Sequence, residues 1–137
     1  MTAVVDTSAL LAYFDRGSER HLDVQMLIEA ERGPLAVSPL VLAEVDHLVR
    51  RRFGERAADG ALREIGGGAY DIAGFSADDL RRALAVLERY PDRRLGLTDA
   101  ALLALAERIG ANTIFTLDRR DFDGLARADG TPLVILP

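Results

Sequence analysis

The segment VVDTSALLAYF, residues 4–14, joins two kinds of pattern at one acidic residue. Its leading valines are typical of a short buried strand, whereas the alanines and leucines after Ser8 are typical of a helix. Asp6 stands between the two patterns, at the predicted end of the strand. The acid therefore either caps the following helix or forms one side of a binding site. Thr7 and Ser8 are the other residues predicted to provide that N-cap.

The same alternation of apolar runs and helical segments continues along the chain. Strands are predicted at residues 3–6, 35–37, 70–72, 113–116 and 133–136. Further helices are predicted at residues 18–32, 39–53, 55–65, 76–90 and 98–109, with Ser38 and Thr98 as N-caps. Short apolar strands that alternate with helices are typical of a parallel sheet covered on both faces. The predicted fold class is α/β, a three-layer arrangement with a central parallel sheet flanked by helices in one domain spanning residues 1–137.

The composition excludes several classes of function. With 49% hydrophobic and 28% charged residues, the chain has the profile of a globular protein. It contains no cysteine, which excludes disulfide scaffolds, thiolate zinc sites and cysteine nucleophiles. All 17 basic residues are arginine, so every mechanism that needs a lysine is excluded, including those of P-loop proteins, aspartyl-nucleophile phosphatases and receiver domains.

Charge and the N-terminal pattern bear on location and partners. The net charge of −5 argues against simple electrostatic wrapping of nucleic acid. The first apolar run is short, is interrupted by Asp6 and follows no basic segment, so neither a membrane span nor a secretory signal is predicted. A cytoplasmic location is expected.

Four acidic residues are predicted to meet at one edge of the sheet. Asp6 and Asp118 each follow a predicted strand, and ligands of parallel α/β sheets bind beyond the carboxyl ends of the strands. Glu44 lies in the otherwise apolar start of one helix, where its charge is expected to interrupt an apolar stripe and therefore to be paired or functional. Asp99 lies in the first turn of another helix. Each acid also has a local explanation. Asp6 can cap a helix, Asp99 can interact with a helix dipole, Asp118 can belong to a charged turn, and Glu44 can pair with Arg51.

Converging carboxylates repel one another, so such a cluster binds either protons or a cation. Oxygen ligands without cysteine favour Mg²⁺, with Mn²⁺ as a substitute, over zinc. The two histidines, His21 and His47, are expected to have surface or packing roles rather than to bind metal. A magnesium site that keeps several waters suits phosphate substrates, and the reaction it favours is phosphodiester hydrolysis.

Four segments in this order resemble the PIN-domain ribonucleases, and within them the VapC-type toxins of VapBC toxin–antitoxin pairs: VVDTSALLAYF, SPLVLAEVDHL, GLTDAALLALAERIG and TIFTLDRRDF. The resemblance implies an endoribonuclease site that depends on Mg²⁺ or Mn²⁺. It assigns catalytic and metal-binding roles to Asp6, Glu44, Asp99 and Asp118, with the first and third as principal ligands. Asp121 is a weaker fifth candidate, and Thr116 is a candidate for a hydrogen bond within the site.

The resemblance also implies partners. Such toxins form homodimers, and a VapB-type antitoxin blocks the active site from a groove whose apolar wall would come from residues 7–14 and from the helix through Met26. Arginine clusters, such as residues 50–52 and 119–120, are candidates for binding RNA phosphates. The main alternative is a PIN-like module that binds RNA or protein with little or no turnover.

Overall fold

The central sheet explains how distant segments of the chain meet at one edge. The computed structural model describes residues 3–137, and Met1 and Thr2, the first residues of the predicted domain and N-terminal run, lie outside the described residues. Within this range five parallel strands follow the order β3-β2-β1-β4-β5. The strands are β1 (Ala3–Val5), β2 (Leu35–Val37), β3 (Tyr70–Ile72), β4 (Thr113–Phe115) and β5 (Val134–Leu136). The predicted parallel α/β fold is confirmed.

Seven helices surround the sheet in the described part of the chain. They are α1 (Thr7–Phe14), α2 (His21–Ala30), α3 (Pro39–Phe53), α4 (Glu55–Ile65), α5 (Ala77–Arg89), α6 (Leu97–Ile109) and α7 (Arg119–Phe122). The second helix is shorter than predicted, and the one-turn helix α7 was not predicted. Within residues 3–137 no helix combines the length and the apolar character needed to cross a bilayer.

The helix α6 forms the centre of the core. Every residue from Ala100 to Ala106 is buried, as the continuous apolar pattern of this segment predicts. Leu102 and Leu103 are completely inaccessible to solvent, as are Val4 and Val5 of the central strand. Full burial of a leucine or valine contributes roughly 1.5–3 kcal/mol to folding. This packing gives a rigid base to the residues that follow β1 and to those at the start of α6.

The starts of α3 and α6 differ in how well the sequence predicts them. Ser38 caps α3 as predicted, because its hydroxyl accepts a hydrogen bond from the Leu40 N–H at 3.2 Å and Pro39 occupies the first helical position. The predicted cap of α6 is wrong, since Thr98 lies inside the helix and Gly96 occupies the N-cap. Glycine is an acceptable N-cap, and its extended backbone lets the helix begin earlier.

Candidate active site

Two of the predicted acids lie side by side because β1 and β4 are neighbours in the sheet. Val5 pairs with Phe115 at the last position of the two strands. The N–H of Asp6 donates to the Phe115 carbonyl at 2.9 Å, which extends the pairing by one residue. Asp118 follows three residues after Phe115. The carboxyl edge of the sheet therefore carries acids from β1 and β4, as the strand pattern predicts.

An open cleft of about 440 Å³ gathers these acids with others from the helices. The acids that line it are Asp6, Glu44, Asp99, Asp118 and Asp121. All four predicted site acids and the weaker fifth candidate thus face one depression, although they come from β1, α3, α6 and the segment around α7. The remaining walls of the cleft are formed by Thr7, Ser8 and Leu11 of α1, Leu48 of α3 and residues 96–98.

Glu44 reaches the cleft from a position unlike the one that the sequence suggests. The buried stripe of α3 consists of Val41, Val45 and Val49, and Glu44 is exposed beside it. The expectation that its charge interrupts an apolar stripe is therefore wrong, since the helix turns Glu44 away from the core. The proposed pairing with Arg51 is also absent from the ion pairs of residues 3–137.

Asp6 does not act as a helix cap. It occupies the N-cap position of α1, yet its side chain makes no capping hydrogen bond to the helix. Its Oδ2 atom instead accepts a hydrogen bond of 2.7 Å from the Thr116 hydroxyl and a longer one of 3.4 Å from Ser8. The carboxylate is turned toward the end of β4. The capping roles predicted for Thr7 and Ser8 are wrong as well, because α1 already begins at Thr7.

Ser8 and Thr116 join the two strand ends into one network. The Thr116 hydroxyl, completely buried, also accepts the Asp118 N–H at 3.0 Å. Ser8 accepts the Leu117 N–H at 2.9 Å and lies 3.1 Å from the Thr116 hydroxyl. Thr116 is a predicted member of the site, whereas Ser8 was predicted only as a helix cap. The signal was its position two residues after Asp6, where a hydroxyl in the first helical turn can reach the neighbouring strand end.

Within residues 3–137 the acids of the cleft form no ion pair with a basic group. Eight ion pairs form among residues 3–137, and none of them involves a carboxylate that lines the cleft. The histidines lie elsewhere. The Nδ1 atom of His21 is 2.8 Å from the Ala12 carbonyl oxygen, and His47 is exposed and does not line the cleft. The cleft is therefore a concentration of negative charge that no basic group among the described residues neutralises.

Comparison with known proteins agrees with the fold. The family model described as the PIN domain matches residues 3–128. The chain belongs to the PIN-domain family. Ribonuclease VapC26 of Mycobacterium tuberculosis is 42% identical over 134 residues, which cover 98% of this chain and 99% of the relative. The chain is thus a PIN-domain protein of the VapC type.

Solved structures of toxins and of toxin–antitoxin complexes have the same fold as this chain. VapC20 of Mycobacterium tuberculosis, a toxin that cleaves the sarcin–ricin loop, has a TM-score of 0.81 at 26% identity and covers 92% of this chain and 98% of its own. A toxin–antitoxin complex of Klebsiella pneumoniae has a TM-score of 0.70 at 26% identity over 90% and 92% of the two chains. VapBC2 of Rickettsia felis shares the fold, with a TM-score of 0.74 at 17% identity over 100% of both chains.

Burial and the charges of neighbouring acids raise the pKa values of three carboxyl groups in this PIN-domain cleft. The pKa of Asp99 is raised to about 7, and the largest cause is the removal of its side chain from water. The neighbouring negative charges raise it further, and they belong to Asp6, Asp121, Asp118 and Glu44. Burial also raises the pKa of Asp6, although the hydrogen bond from Thr116 opposes the change. The pKa of Asp118 is raised by burial and by Asp121, and lowered by a hydrogen bond with Ser8. Near neutral pH the cleft therefore favours a bound proton or a cation.

The donor atoms of this PIN-domain cleft fit a hard divalent cation. All of them are oxygens, from carboxylates and hydroxyl groups, which are the ligands that Mg²⁺ and Mn²⁺ prefer. Within residues 3–137 no group of three or more acidic or histidine side chains is arranged so that it could hold one metal ion. Magnesium commonly takes only one or two carboxylates and completes its shell with water and substrate phosphate. Direct ligation by a pair of acids fits this geometry better than ligation by four.

Removing the Thr116 hydroxyl tests whether the network prepares Asp6 for a cation. In Thr116→Val we expect about tenfold weaker Mg²⁺ binding, because the substitution removes the hydrogen bond that orients Asp6 and favours its ionised form. Isothermal titration with Mg²⁺ measures the change. Thr113→Val is the matched control, since this buried hydroxyl of β4 lies 3.4 Å from Asn112 and does not line the cleft. Equal Mg²⁺ affinity in Thr116→Val and the parent would contradict a role of the Thr116 hydroxyl in preparing Asp6 for a cation.

Proposed function

We propose that this PIN-domain protein is the toxin of a type II toxin–antitoxin pair and a metal-dependent endoribonuclease that hydrolyses RNA phosphodiester bonds. The observation that carries the proposal is a cleft lined by five carboxylates, none of which pairs with a basic group within residues 3–137. Such a charge arrangement is costly unless a cation compensates it. The name of Ribonuclease VapC26, at 42% identity, supports the activity. The family match over residues 3–128 supports a single catalytic domain spanning 1–137.

We propose Mg²⁺ as the cofactor, with Mn²⁺ as a substitute, and Asp6 and Asp99 as its principal ligands. These two carboxylates are the least exposed of the five, which favours them as direct ligands. Glu44 and Asp118 are exposed and complete the site, in this proposal through bound water. When bound, the divalent ion supplies activation of water and neutralisation of the charge on the scissile phosphate.

The protein's own groups orient the site and control its protonation. Thr116 and Ser8 hold the Asp6 carboxylate in one orientation, so that little reorganisation is needed when substrate arrives. Asp99 gives up its proton before it ligates, because a coordinating carboxylate must be ionised. Asp121, exposed at the mouth of the cleft, adds negative charge that keeps an RNA phosphate away unless a cation is present.

We further propose a VapB-type antitoxin as the physiological partner and a homodimer as the functional state. The similarity to a toxin–antitoxin complex of Klebsiella pneumoniae, at 26% identity, supports the antitoxin. The outward-facing Leu80 and Leu84 of α5, 41% and 47% exposed, support a further protein contact. In this proposal the protein acts in the cytoplasm, where its RNA substrate is located.

Cleavage of a defined RNA with controlled metal tests the proposed activity. The first substrate to test is a sarcin–ricin loop oligonucleotide, because a toxin that cleaves this loop is 26% identical to the present chain. We expect specific cleavage with Mg²⁺ or Mn²⁺, loss of cleavage with EDTA, and recovery when excess Mg²⁺ is added. The antitoxin encoded beside the toxin should inhibit the same reaction.

Two results would contradict this proposal in different ways. Cleavage that continues in EDTA would exclude the metal-dependent mechanism. Binding of RNA without cleavage, with any divalent metal and with total RNA as well as the loop, would support the alternative of a PIN-like binding module.

A further inference from the structure

A groove of about 210 Å³ adjoins the acidic cleft. Ser8 and Leu11 line both depressions, so the groove continues directly from the site of the proposed chemistry. Its walls beyond these shared residues include Ala12, Leu117 and Phe53, which makes it more apolar than the cleft. A chain that passes through the cleft therefore meets an apolar surface next.

Phe53 provides an exposed aromatic ring in this groove. It is the last residue of α3 and is 51% exposed, although phenylalanine is usually buried. Single exposed apolar residues are common on protein surfaces. Phe53 is the one aromatic ring among the large exposed apolar side chains of residues 3–137, and it lies in a concave surface that is continuous with the acidic cleft.

Arg52 provides a positive charge at the same place. It is the one basic side chain among the residues that line either the cleft or the groove in the described range 3–137. Arg50, two residues earlier, is held by Asp46 at 2.8 Å and by Asp59 at 3.1 Å. Arg52 makes no ion pair in the described part of the chain. Asp15, which also lines the groove, accepts the Gly17 N–H at 3.0 Å through its Oδ1 atom.

We propose that this groove is a nucleotide subsite in which a base next to the scissile bond stacks on Phe53 and a phosphate binds Arg52; the inference rests on the proposed ribonuclease function. Single-stranded RNA is recognised by stacking of its bases on aromatic rings and by arginine contacts with its phosphates. The arrangement favours RNA over a basic peptide, because a peptide cationic enough to fill the acidic cleft would meet a like charge at Arg52. It also gives a net acidic protein a local attraction for a polyanion.

Substitutions at Phe53 separate stacking from general apolar contact. We expect Phe53→Ala and Phe53→Leu each to weaken binding of a fluorescein-labelled, random-sequence single-stranded oligoribonucleotide by about fivefold or more, whereas Phe53→Trp retains it. Fluorescence anisotropy with Ca²⁺ in place of Mg²⁺ measures binding. With Mg²⁺ and a substrate that the parent cleaves, the Ala and Leu variants should raise KM and change kcat little. Thermal unfolding checks that the exposed position tolerates each change.

Arg52→Gln tests the phosphate contact. We expect weaker binding and a slope of log affinity against log salt concentration that is reduced by about 1, as for loss of one phosphate contact. Arg32→Gln is the matched control. This exposed arginine immediately precedes the segment that leads into β2, at the amino end of the strand and thus at the opposite edge of the sheet.

The outcomes distinguish this inference from the proposed function. If the parent cleaves RNA and the Phe53→Ala and Arg52→Gln variants bind and cleave it equally well, the subsite is wrong and the ribonuclease function stands. If Phe53→Ala weakens antitoxin binding but not RNA binding, the groove is a protein-docking surface and the subsite is again wrong. If the parent neither binds nor cleaves RNA, the proposed function fails and the subsite fails with it.

Discussion

Asp99→Asn is expected to reduce RNA cleavage by at least about 100-fold while the protein remains folded, because the variant lacks a carboxylate that the proposed metal site requires. Asparagine keeps the size of the side chain and removes its charge. In the metal-free protein the change also removes repulsion from Asp6, Asp118 and other acids of the cleft. A loss of activity without a loss of stability would therefore separate a functional acid from a structural one.

The measurement for Asp99→Asn pairs cleavage rates with thermal unfolding. Asp78→Asn is a matched control, because Asp78 lies in the first turn of α5 as Asp99 lies in the first turn of α6. Asp78 differs in being exposed and in pairing with Arg81 outside the cleft. The control variant should cleave RNA at the parental rate. If Asp99→Asn also cleaved at the parental rate, Asp99 would not be a ligand, and the assignment of the principal metal site would fail.

The strand ends of the site follow directly from the sequence. Asp6 and Asp118 each come after an apolar run, and the parallel arrangement of neighbouring strands was enough to predict that both reach one edge. Glu44 and Asp99 were also predicted to face this edge from helices, and both line the cleft. The predicted surroundings of the two acids differ from the observed ones. Asp99 is a first-turn residue, as predicted, and burial and the neighbouring acids raise its pKa.

The remaining features depend on packing that a one-dimensional pattern does not contain. Glu44 is exposed because the apolar stripe of α3 runs through Val41, Val45 and Val49, and the sequence alone leaves its neighbours Leu40 and Leu42 equally plausible as core. The role of Ser8 depends on a hydrogen bond to Leu117, more than a hundred residues away in the chain. Such a contact requires the register between β1 and β4, which the sequence does not specify.

Metal-free stability and Mg²⁺ affinity are expected to change with pH in opposite directions. The pKa of Asp99 is about 7 in the folded protein, well above its usual value of 3.8. At pH values between 3.8 and about 7, Asp99 holds a proton in the folded state that it has lost in the unfolded state. The contribution of this proton to the free energy of unfolding is therefore fully present below about pH 3.8. It is lost as the pH rises through the higher pKa. The raised pKa values of Asp6 and Asp118 act in the same direction.

For Mg²⁺ binding the sign is reversed, because the ion competes with the proton for Asp99. Apparent affinity should increase about tenfold per pH unit below the pKa of Asp99 and level off above it, since one proton is released per ion bound. The metal-free protein should lose roughly 1–2 kcal/mol of unfolding free energy between about pH 5 and pH 8, after allowance for solvent screening at a partly exposed group.

Isothermal titration with Mg²⁺ and denaturant unfolding in EDTA, each across this pH range, measure the two effects. Asp99→Asn should flatten both profiles, whereas Asp78→Asn should leave them as in the parent. Parental Mg²⁺ affinity that is independent of pH would contradict the view that a proton and a metal ion compensate the same charge. The proposed site needs that competition, because five carboxylates without a basic partner in residues 3–137 are stable near neutral pH only when one or the other is bound.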